Sequence, residues 1–211
     1  MYWTAFAVYV AGLVTAIGGR TLLHYVRTGE SGHRHSHPRF GTGAWGAQLT
    51  LGLALPLGAA APLLAAMNVL APPAPLVNPI IQAAGLLLAT LGFVGVLAAQ
   101  QAMGASWRIG ADGSEQTRLI TTGVFRVVRN PVFTAMLIAV AGLTAAVPSV
   151  LQLVVFLLML TGIQLQVRYV EEPALRQAHG QAFESYAAST GRFLPAASTA
   201  NRRQKPPTPT A

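Results

Sequence analysis

The sequence predicts an all-α polytopic membrane protein, with about five transmembrane helices and a C-terminal amphipathic helix on the cytoplasmic surface. Three observations support this fold class. Of the 211 residues, 53% are hydrophobic and only 9% are charged, whereas a soluble domain carries about 25% charged residues. The apolar residues gather into five blocks of roughly membrane-spanning length. The basic residues lie between alternate blocks or at the block ends next to them.

The five apolar blocks differ in length and in their interruptions. We predict spans at about residues 3–26, 44–70, 77–103, 131–146 and 150–170. Pro56 and Pro62 lie inside the second block. We expect them to kink the helix rather than end it, because neighbouring helices can satisfy the freed carbonyls. The fourth block is the shortest, roughly 24 Å at 1.5 Å per residue. The turn at 147–149 joins it to the fifth block as a helical hairpin.

The positions of the basic residues predict the orientation in the membrane. If the N-terminus lies outside the cytoplasm, the loop at 28–42, the connection at 104–130 and the C-terminal region are all cytoplasmic. Every Lys and Arg then lies in one of these segments or in an adjoining helix end, and the two outside turns carry no charge. This is the positive-inside pattern. We therefore expect the polar chemistry at the cytoplasmic face.

The C-terminal part predicts one further helix and then a tail. Pro173 disfavours helix at Glu172 and suits the first turn of a new helix. One face of that helix carries apolar and aromatic side chains at helical spacing, namely Leu175, His179, Phe183 and Tyr186. Such a helix packs on the membrane surface, and Gly191 would end it. We read residues 1–195 as a single membrane-embedded domain and 196–211 as a disordered tail.

Several functional classes are excluded by composition. The chain has no cysteine, so disulfides and a cysteine nucleophile are absent. Its net charge of +8 is explained by membrane topology, and we predict no nucleic-acid partner. His33, His35 and His37 alternate in the first loop. Three imidazoles without a carboxylate make a weak metal site, so we interpret this loop as solvated and predict no bound metal.

The residues most suggestive of chemistry lie at the two polar ends of the hairpin. Before it, the stretch 119–133 reads LITTGVFRVVRNPVF, and after it come Arg168, Glu171 and Glu172. Each residue alone has a structural explanation. Arginines anchor topology, glutamates complement a helix N-terminus, and Arg168 could pair with a glutamate along the helix. Together they predict one site, because the hairpin returns both ends to the same membrane surface, where polar groups are functional candidates.

These two ends match a known combination of motifs. The first is Leu-Ile-Thr-Thr-Gly-Val-Phe, then five residues, then Asn-Pro-x-Phe. The second is Arg-x-x-Glu-Glu-x-x-Leu, then four residues, then Gly-x-x-Phe-x-x-Tyr. The combination resembles the isoprenylcysteine carboxyl methyltransferase family and, more distantly, the phospholipid N-methyltransferases. The resemblance covers roughly residues 104–195, which would be the catalytic part of the domain.

The resemblance implies a membrane-embedded methyltransferase that uses S-adenosylmethionine and a lipophilic acceptor. Glu171 would take the amino group of the cofactor, next to Glu172, and Arg168 would be the catalytic residue that holds the acceptor's carboxylate. The residues implied for the rest of the cofactor pocket are Thr117, Leu119, Ile120, Phe125, Asn130, Pro131 and Phe133.

Two positions depart from the family pattern. Asn130 stands where the family usually has His, and an amide cannot transfer a proton. Arg168 lies three residues before Glu171, whereas the family's arginine often lies four before. One residue turns a helix by about 100°, so Arg168 would point elsewhere unless the helix is locally distorted.

We therefore expect O-methylation of the carboxylate of an isoprenoid or prenylcysteine-like acceptor. A carboxylate with a pKa near 4 is already ionised and needs no general base, whereas an amine must first lose a proton. Phospholipid or amine N-methylation is the alternative reaction. A non-enzymatic scaffold or a transporter-like protein is the alternative class. A transporter would carry ionisable groups within its spans, which are nearly devoid of them.

Overall fold

The computed structural model describes residues 1–29, 38–104 and 119–196, and within these ranges it is helical, with no strand. Eight α-helices occur there: α1 (Tyr2–Leu13), α2 (Arg20–Thr28), α3 (Gly43–Ala66), α4 (Pro79–Met103), α5 (Pro131–Ala146), α6 (Val150–Gln166), α7 (Glu172–His179) and α8 (Gln181–Ser189). Wider π-helical turns join α1 to α2 at Val14–Gly19 and α6 to α7 at Val167–Glu171. Short 3-10 turns cover Ala74–Leu76 and Gly123–Arg126.

The predicted all-α membrane fold is confirmed. Four helical runs of the described chain are long and apolar enough to cross a membrane, namely Tyr2–Val26, Gly43–Ala66, Pro79–Met103 and Val150–His179. The fifth apolar helix, Pro131–Ala146, is shorter, as its sequence predicts. The protein is therefore a multi-pass membrane protein. The loop with His33, His35 and His37, and residues 197–211 of the tail, lie outside the described residues.

Three of the spanning helices begin at polar capping residues. Thr42 caps α3, and its hydroxyl accepts a hydrogen bond from Trp45 N at 3.2 Å. Asn78 caps α4 and accepts from Ile80 N and Ile81 N at 3.0 and 3.2 Å. Ser149 caps α6. These side chains satisfy amide groups that the first helical turn leaves unpaired.

The prolines have different effects in α3 and after α6. The helix α3 continues through Pro56 and Pro62, as we predict from the sequence. Pro173 does not separate α6 from the next helix, because the chain passes through the π-turn and stays helical. In that turn Glu172 N donates to Val167 O, five residues back. Pro173 has no N–H and its ring crowds the preceding turn, which the wider turn accommodates.

The C-terminal amphipathic helix is in two pieces rather than one. Helix α7 ends at His179 and α8 begins at Gln181, and the residue between them, Gly180, has a φ of +49°. A side chain other than glycine's would be strained in this left-handed backbone. The helix α8 ends at Ser189, two residues before the Gly191 that we expect from the sequence to end it.

The spanning helices pack most extensively as two pairs, α4 with α5 and α3 with α6. Small residues allow α4 and α5 to touch backbone to backbone, as is common in membrane helix pairs. A Cβ added to Gly142 would lie 2.4 Å from Ala89 N, and one added to Gly92 would lie 2.5 Å from Ala139 N. In the other pair the ring of Tyr169 covers Gly43.

The π-turn in the first helical run is stabilised from α4. Gln100 is buried, and its Nε2 donates to the carbonyl oxygen of Ala16 at 3.1 Å. The hydroxyl of Thr15 donates to Ala11 O at 2.7 Å. Since hydrocarbon offers no hydrogen bonds, carbonyls displaced from regular helical pairing need such partners. Helix α1 is therefore joined to α4 by a polar contact inside the apolar bundle.

The close α4–α5 contact gives a stability prediction. Gly142→Ala should lower the unfolding temperature in detergent, because its Cβ would clash with the backbone of Ala89, and overpacking costs about 1–3 kcal/mol. Gly52→Ala is the matched control. Gly52 is a helical glycine with nothing within 4 Å of an added Cβ, so this variant should be neutral or slightly stabilised. Equal unfolding temperatures for the two variants would contradict the packing argument.

Candidate functional site

The chain before α5 lies alongside the chain after α8. Val128 and Gly191 form an isolated parallel bridge. Arg129 N donates to Gly191 O at 2.8 Å, and Asn130 N donates to Arg192 O at 3.1 Å. These contacts join the segment that precedes α5 to the segment that follows α8, about sixty residues later in the sequence.

Glu172 is the centre of a network of ion pairs at this end of the hairpin. Its side chain is 6% exposed, and its two oxygens contact three arginines. Arg192 binds with two donors, Nε to Oε1 at 2.8 Å and Nη2 to Oε2 at 2.9 Å. Arg129 Nη2 donates to Oε1 at 3.0 Å, and Arg176 Nη2 to Oε2 at 3.4 Å. Such paired, charge-assisted bonds are strong and geometrically specific.

The arginines extend the network to the last two helices. Arg129 Nη1 donates to Ala187 O in α8 at 2.6 Å. Arg176 joins α7 to α8, since its Nε donates to Glu184 Oε1 at 2.9 Å and its guanidinium lies over the ring of Phe183. Tyr186 donates its hydroxyl to Phe125 O at 2.5 Å. Burial raises the pKa of the Tyr186 phenol, against the opposing charge of Arg129, so the phenol stays protonated and can donate.

Glu171 faces a different environment from Glu172. Its Oε1 accepts a hydrogen bond from Gln166 Nε2 at 3.3 Å. Its Oε2 accepts none from the residues that the structure describes. The two neighbouring glutamates therefore have different surroundings. Both oxygens of Glu172 accept hydrogen bonds from arginines, whereas Oε2 of Glu171 accepts none from a described residue.

Arg168 lies on the outward side of the helix. Its side chain is exposed and makes no hydrogen bond or ion pair with any described residue. It lines an open groove of about 380 Å³, together with Leu160, Thr161, Gln164, Leu165 and Tyr169. The helix is locally distorted, because the π-turn Val167–Glu171 contains both Arg168 and Glu171. The structure does not join these two residues by an ion pair.

The other residues implied for the cofactor pocket are placed as follows. Thr117 lies outside the described residues, and Leu119 and Ile120 are half-buried without regular structure. Phe125 is buried in the 3-10 turn, and Pro131 is buried in the first turn of α5. Phe133 packs with the cluster of Ala54, Val140, Val155, Met159 and Ile163.

Asn130 holds the capping position of α5 without capping the helix by its side chain. Its Nδ2 instead donates to Arg192 O at 3.2 Å. Its Oδ1 accepts no hydrogen bond from the described residues. The carbonyl of the same residue accepts from Thr134 Oγ1, which also bonds Phe193 O. Asn130 therefore both ties α5 to the C-terminal segment and leaves an acceptor oxygen available.

The available groups fit the chemistry of S-adenosylmethionine. This cofactor carries an ammonium group and a positive sulfonium, which carboxylate and amide oxygens attract. Glu171 Oε2 and Asn130 Oδ1 are oxygens without partners among the described residues. Glu171 is the residue best suited to the ammonium, since both oxygens of Glu172 are already bound.

The sequence does not reveal Arg129, Arg176 and Arg192 as partners of one carboxylate. Arg176 has a local signal, since it follows Glu172 by four residues, the spacing of a helical ion pair. Arg129 and Arg192 have none, because they are separated from Glu172 by 43 and 20 residues. Their only hint is their position beside Asn130-Pro131 and Gly191, where the motifs also lie.

The apolar helices define the class of the protein, which is a multi-pass membrane protein. Charged and polar side chains gather at the ends of its α5–α6 hairpin. Residues 80–182 match the family model described as phospholipid methyltransferase. This region of the chain belongs to that family, and the chain is a membrane methyltransferase. The match confirms the relation to phospholipid methyltransferases that we infer from the motifs. The family generally uses S-adenosylmethionine.

No curated protein and no solved structure matches the chain significantly. The family match includes α4, α5, α6 and α7, with Asn130, Arg168 and both glutamates. It ends before Arg192, which completes the ion-pair network around Glu172.

The ion pairs of Glu172 give a second stability prediction. Glu172→Gln should lower the free energy of unfolding by about 3 kcal/mol, because it leaves the nearly buried Arg129 without its countercharge. The measurement is thermal unfolding in detergent, with limited proteolysis to detect release of α7 and α8. Glu184→Gln is the control. It breaks one exposed pair with Arg176, which is worth less than about 1 kcal/mol. Similar small losses in both variants would show that Glu172 does not organise this end.

Proposed function

We propose that the protein is an S-adenosylmethionine-dependent methyltransferase that acts on the carboxylate of a lipophilic, isoprenoid or prenylcysteine-like acceptor. The cofactor would bind between the chain preceding α5 and Glu171. The acceptor would approach from the bilayer at Arg168. The main support is the pairing of one acidic and one basic group within a single π-turn. Glu171 Oε2 has no hydrogen-bond partner among the described residues, and Arg168 is exposed and lines the groove.

The charges of the two residues suit the two ligands. The carboxylate of Glu171 would hold the ammonium of the cofactor, and Asn130 Oδ1 offers a second acceptor. The guanidinium of Arg168 would orient the acceptor's carboxylate through two parallel N–H donors. Arg168 makes no ion pair with a described residue, so none of the described carboxylates would have to be displaced first. The main contribution of the site would then be to position the two reactants, which can account for a large share of catalysis.

The reaction itself needs little from the protein beyond this geometry. When bound, S-adenosylmethionine supplies the methyl group: a carboxylate oxygen forms the new O–CH₃ bond while the S–CH₃ bond breaks, leaving a thioether and a methyl ester. The acceptor is already ionised, so no proton has to be moved. Asn130 is consistent with this, since an amide cannot serve as a general base. Exclusion of water from the reacting groups would complete the requirements.

N-methylation of a phospholipid amine is the second candidate, and the family match over residues 80–182 favours it. The two reactions give products that differ in stability. Methyl transferred from labelled S-adenosylmethionine to N-acetyl-S-farnesylcysteine would be released as methanol in alkali. Methyl transferred to dioleoylphosphatidylethanolamine would remain bound. Incubating detergent-purified protein with each acceptor therefore distinguishes the reactions. Labelling of the amine alone would sink the carboxylate proposal.

The proposed cofactor site predicts an effect of Glu171→Ala. Calorimetry should detect S-adenosylmethionine binding to the wild-type protein, with a dissociation constant in the micromolar range, about that of typical enzyme ligands. The variant should bind at least about tenfold more weakly, since a hydrogen bond to a charged group is worth about 1.5–3 kcal/mol. Glu184→Ala, an exposed carboxylate of α8, should bind like the wild type. A folded wild-type protein that binds no cofactor would refute the proposal.

The proposed acceptor site predicts a different effect of Arg168→Ala. Cofactor affinity should be unchanged, while kcat/KM for the carboxylate acceptor should fall by about a hundredfold, as for the loss of one preorganised donor. Arg39→Ala is the control, because Arg39 is an exposed arginine preceding α3 and outside the groove. If Arg168→Ala loses cofactor affinity as well, Arg168 is part of the cofactor site and its role here is wrong.

A further inference from the structure

The groove at Arg168 is formed by one face of a single helical run. Its lining residues are Leu160, Thr161, Gln164, Leu165, Arg168 and Tyr169, which form adjacent pairs repeated every four residues. In a regular α-helix such a stripe rotates by about 40° per repeat, since four residues exceed one turn of 3.6. The π-turn Val167–Glu171 holds more residues per turn and offsets this drift. Arg168 and Tyr169 thus remain in line with the residues above them.

Two glycines of α3 shape the edge of this groove. The ring of Tyr169 lies where a Cβ of Gly43 would be, at 2.3 Å from Cδ2. One turn further into the bundle, Leu165 Cδ1 lies 3.3 Å from the position of a Gly46 Cβ. Because glycine has no side chain, the side chains of α6 can lie flat against α3 here. The groove therefore lies on the exposed side of this helical run, where the run packs against α3.

The polar side chains of the groove have no side-chain hydrogen-bond partner among the residues that the structure describes. The hydroxyls of Thr15, Thr50, Thr90, Thr134 and Thr144 each donate to a carbonyl three or four residues earlier. Thr161 makes no such bond, and neither the Gln164 amide nor Arg168 has a side-chain hydrogen bond to any described residue. Thr161 and Arg168 are exposed and Gln164 is half-buried. All three can therefore hydrogen-bond to the polar part of a bound amphiphile.

The order of the groups along the helix specifies that amphiphile. With a rise of 1.5 Å per residue, Gln164 lies about 6 Å and Thr161 about 10 Å along the axis from Arg168. Leu160 is at the far end, deeper in the span. The groove thus offers a cation, then a hydrogen-bonding amide and hydroxyl, then an apolar wall. We propose that it binds an anionic amphiphile with an amide or ester group next to its anionic head.

This inference rests on the proposed function and makes it more specific, because it names the acceptor class. The anion is a carboxylate or a phosphate, since Arg binds both bidentately. Gln164 and Thr161 are specificity-determining residues. They would favour an acceptor with a polar linkage over a plain fatty acid. The acceptor would reach Arg168 sideways from the bilayer, while the cofactor would bind on the Glu171 side.

The test is binding of defined amphiphiles to the full chain in detergent micelles without cofactor. The probes are N-oleoylglycine, oleate, oleoyl lysophosphatidic acid and the neutral oleoyl ethanolamide. N-oleoylglycine should bind the wild type about tenfold more tightly than oleate, and the neutral amide at least tenfold more weakly than N-oleoylglycine. Stronger binding of the phosphate probe than of N-oleoylglycine would identify phosphate as the head that the groove prefers. Equal binding of neutral and anionic amides would overturn the proposal.

Variants assign the effect to the groove. Gln164→Leu should remove the preference for N-oleoylglycine over oleate, and Arg168→Gln should weaken every anionic probe by about tenfold or more. The matched controls are Gln101→Leu and Thr90→Val, exposed positions on α4, which should bind like the wild type. Unfolding temperatures confirm that each variant is folded. If the wild type binds the cofactor but does not distinguish the amphiphiles, the inference about the groove is wrong and the proposed function still stands. A wild-type protein that is folded but binds no cofactor would instead overturn the proposed function.

Discussion

The buried carboxylate of Glu172 holds together parts of the chain that the membrane helices alone do not position. Arg129 precedes α5, Arg176 lies in α7 and Arg192 follows α8, and all three converge on one side chain. An isolated charge at this depth would be strongly destabilising, and a single buried pair is weak support for stability. The bidentate contact with Arg192 and the additional bonds to Ala187 and Glu184 satisfy much of the remaining hydrogen-bonding capacity.

This arrangement separates the tasks of two adjacent glutamates. Both oxygens of Glu172 are bound by arginines, whereas Glu171 Oε2 has no partner among the described residues. The two glutamates are consecutive residues at the point where the π-turn passes into α7, and they face different surroundings. Glu172 lies among the arginines, Glu171 beside Gln166 and Arg168 on the outward groove. Helices with π-turns often carry functional residues. The positive and negative groups of the site are thereby kept from neutralising each other.

The sequence predicts the spans because hydrophobicity is a local property that can be read from a short stretch of residues. It predicts a site at the hairpin ends because each motif there is also a short stretch of sequence. It cannot predict the partners of Glu172, since contacts across 43 residues leave no periodic signal. The same limit applies to Arg168, whose direction follows from a non-regular turn at Pro173 rather than from 100° steps. Gly180 divides the last helix for a similarly local backbone reason.

The hairpin has a mechanical property that follows from how the helices pair. Its two arms belong to different pairs, since α5 packs mainly on α4 and α6 mainly on α3. The α5–α6 boundary therefore lies between the two helix pairs, which the short turn joins at one end and α1 bridges by packing on both α3 and α4. At the other end, the ion pair of Arg129 and Glu172 crosses this boundary. Any sliding of one pair past the other would act on this ion pair and would change the distance between Asn130 and Glu171. The spacing of the proposed site is thus coupled to the fit of the whole bundle.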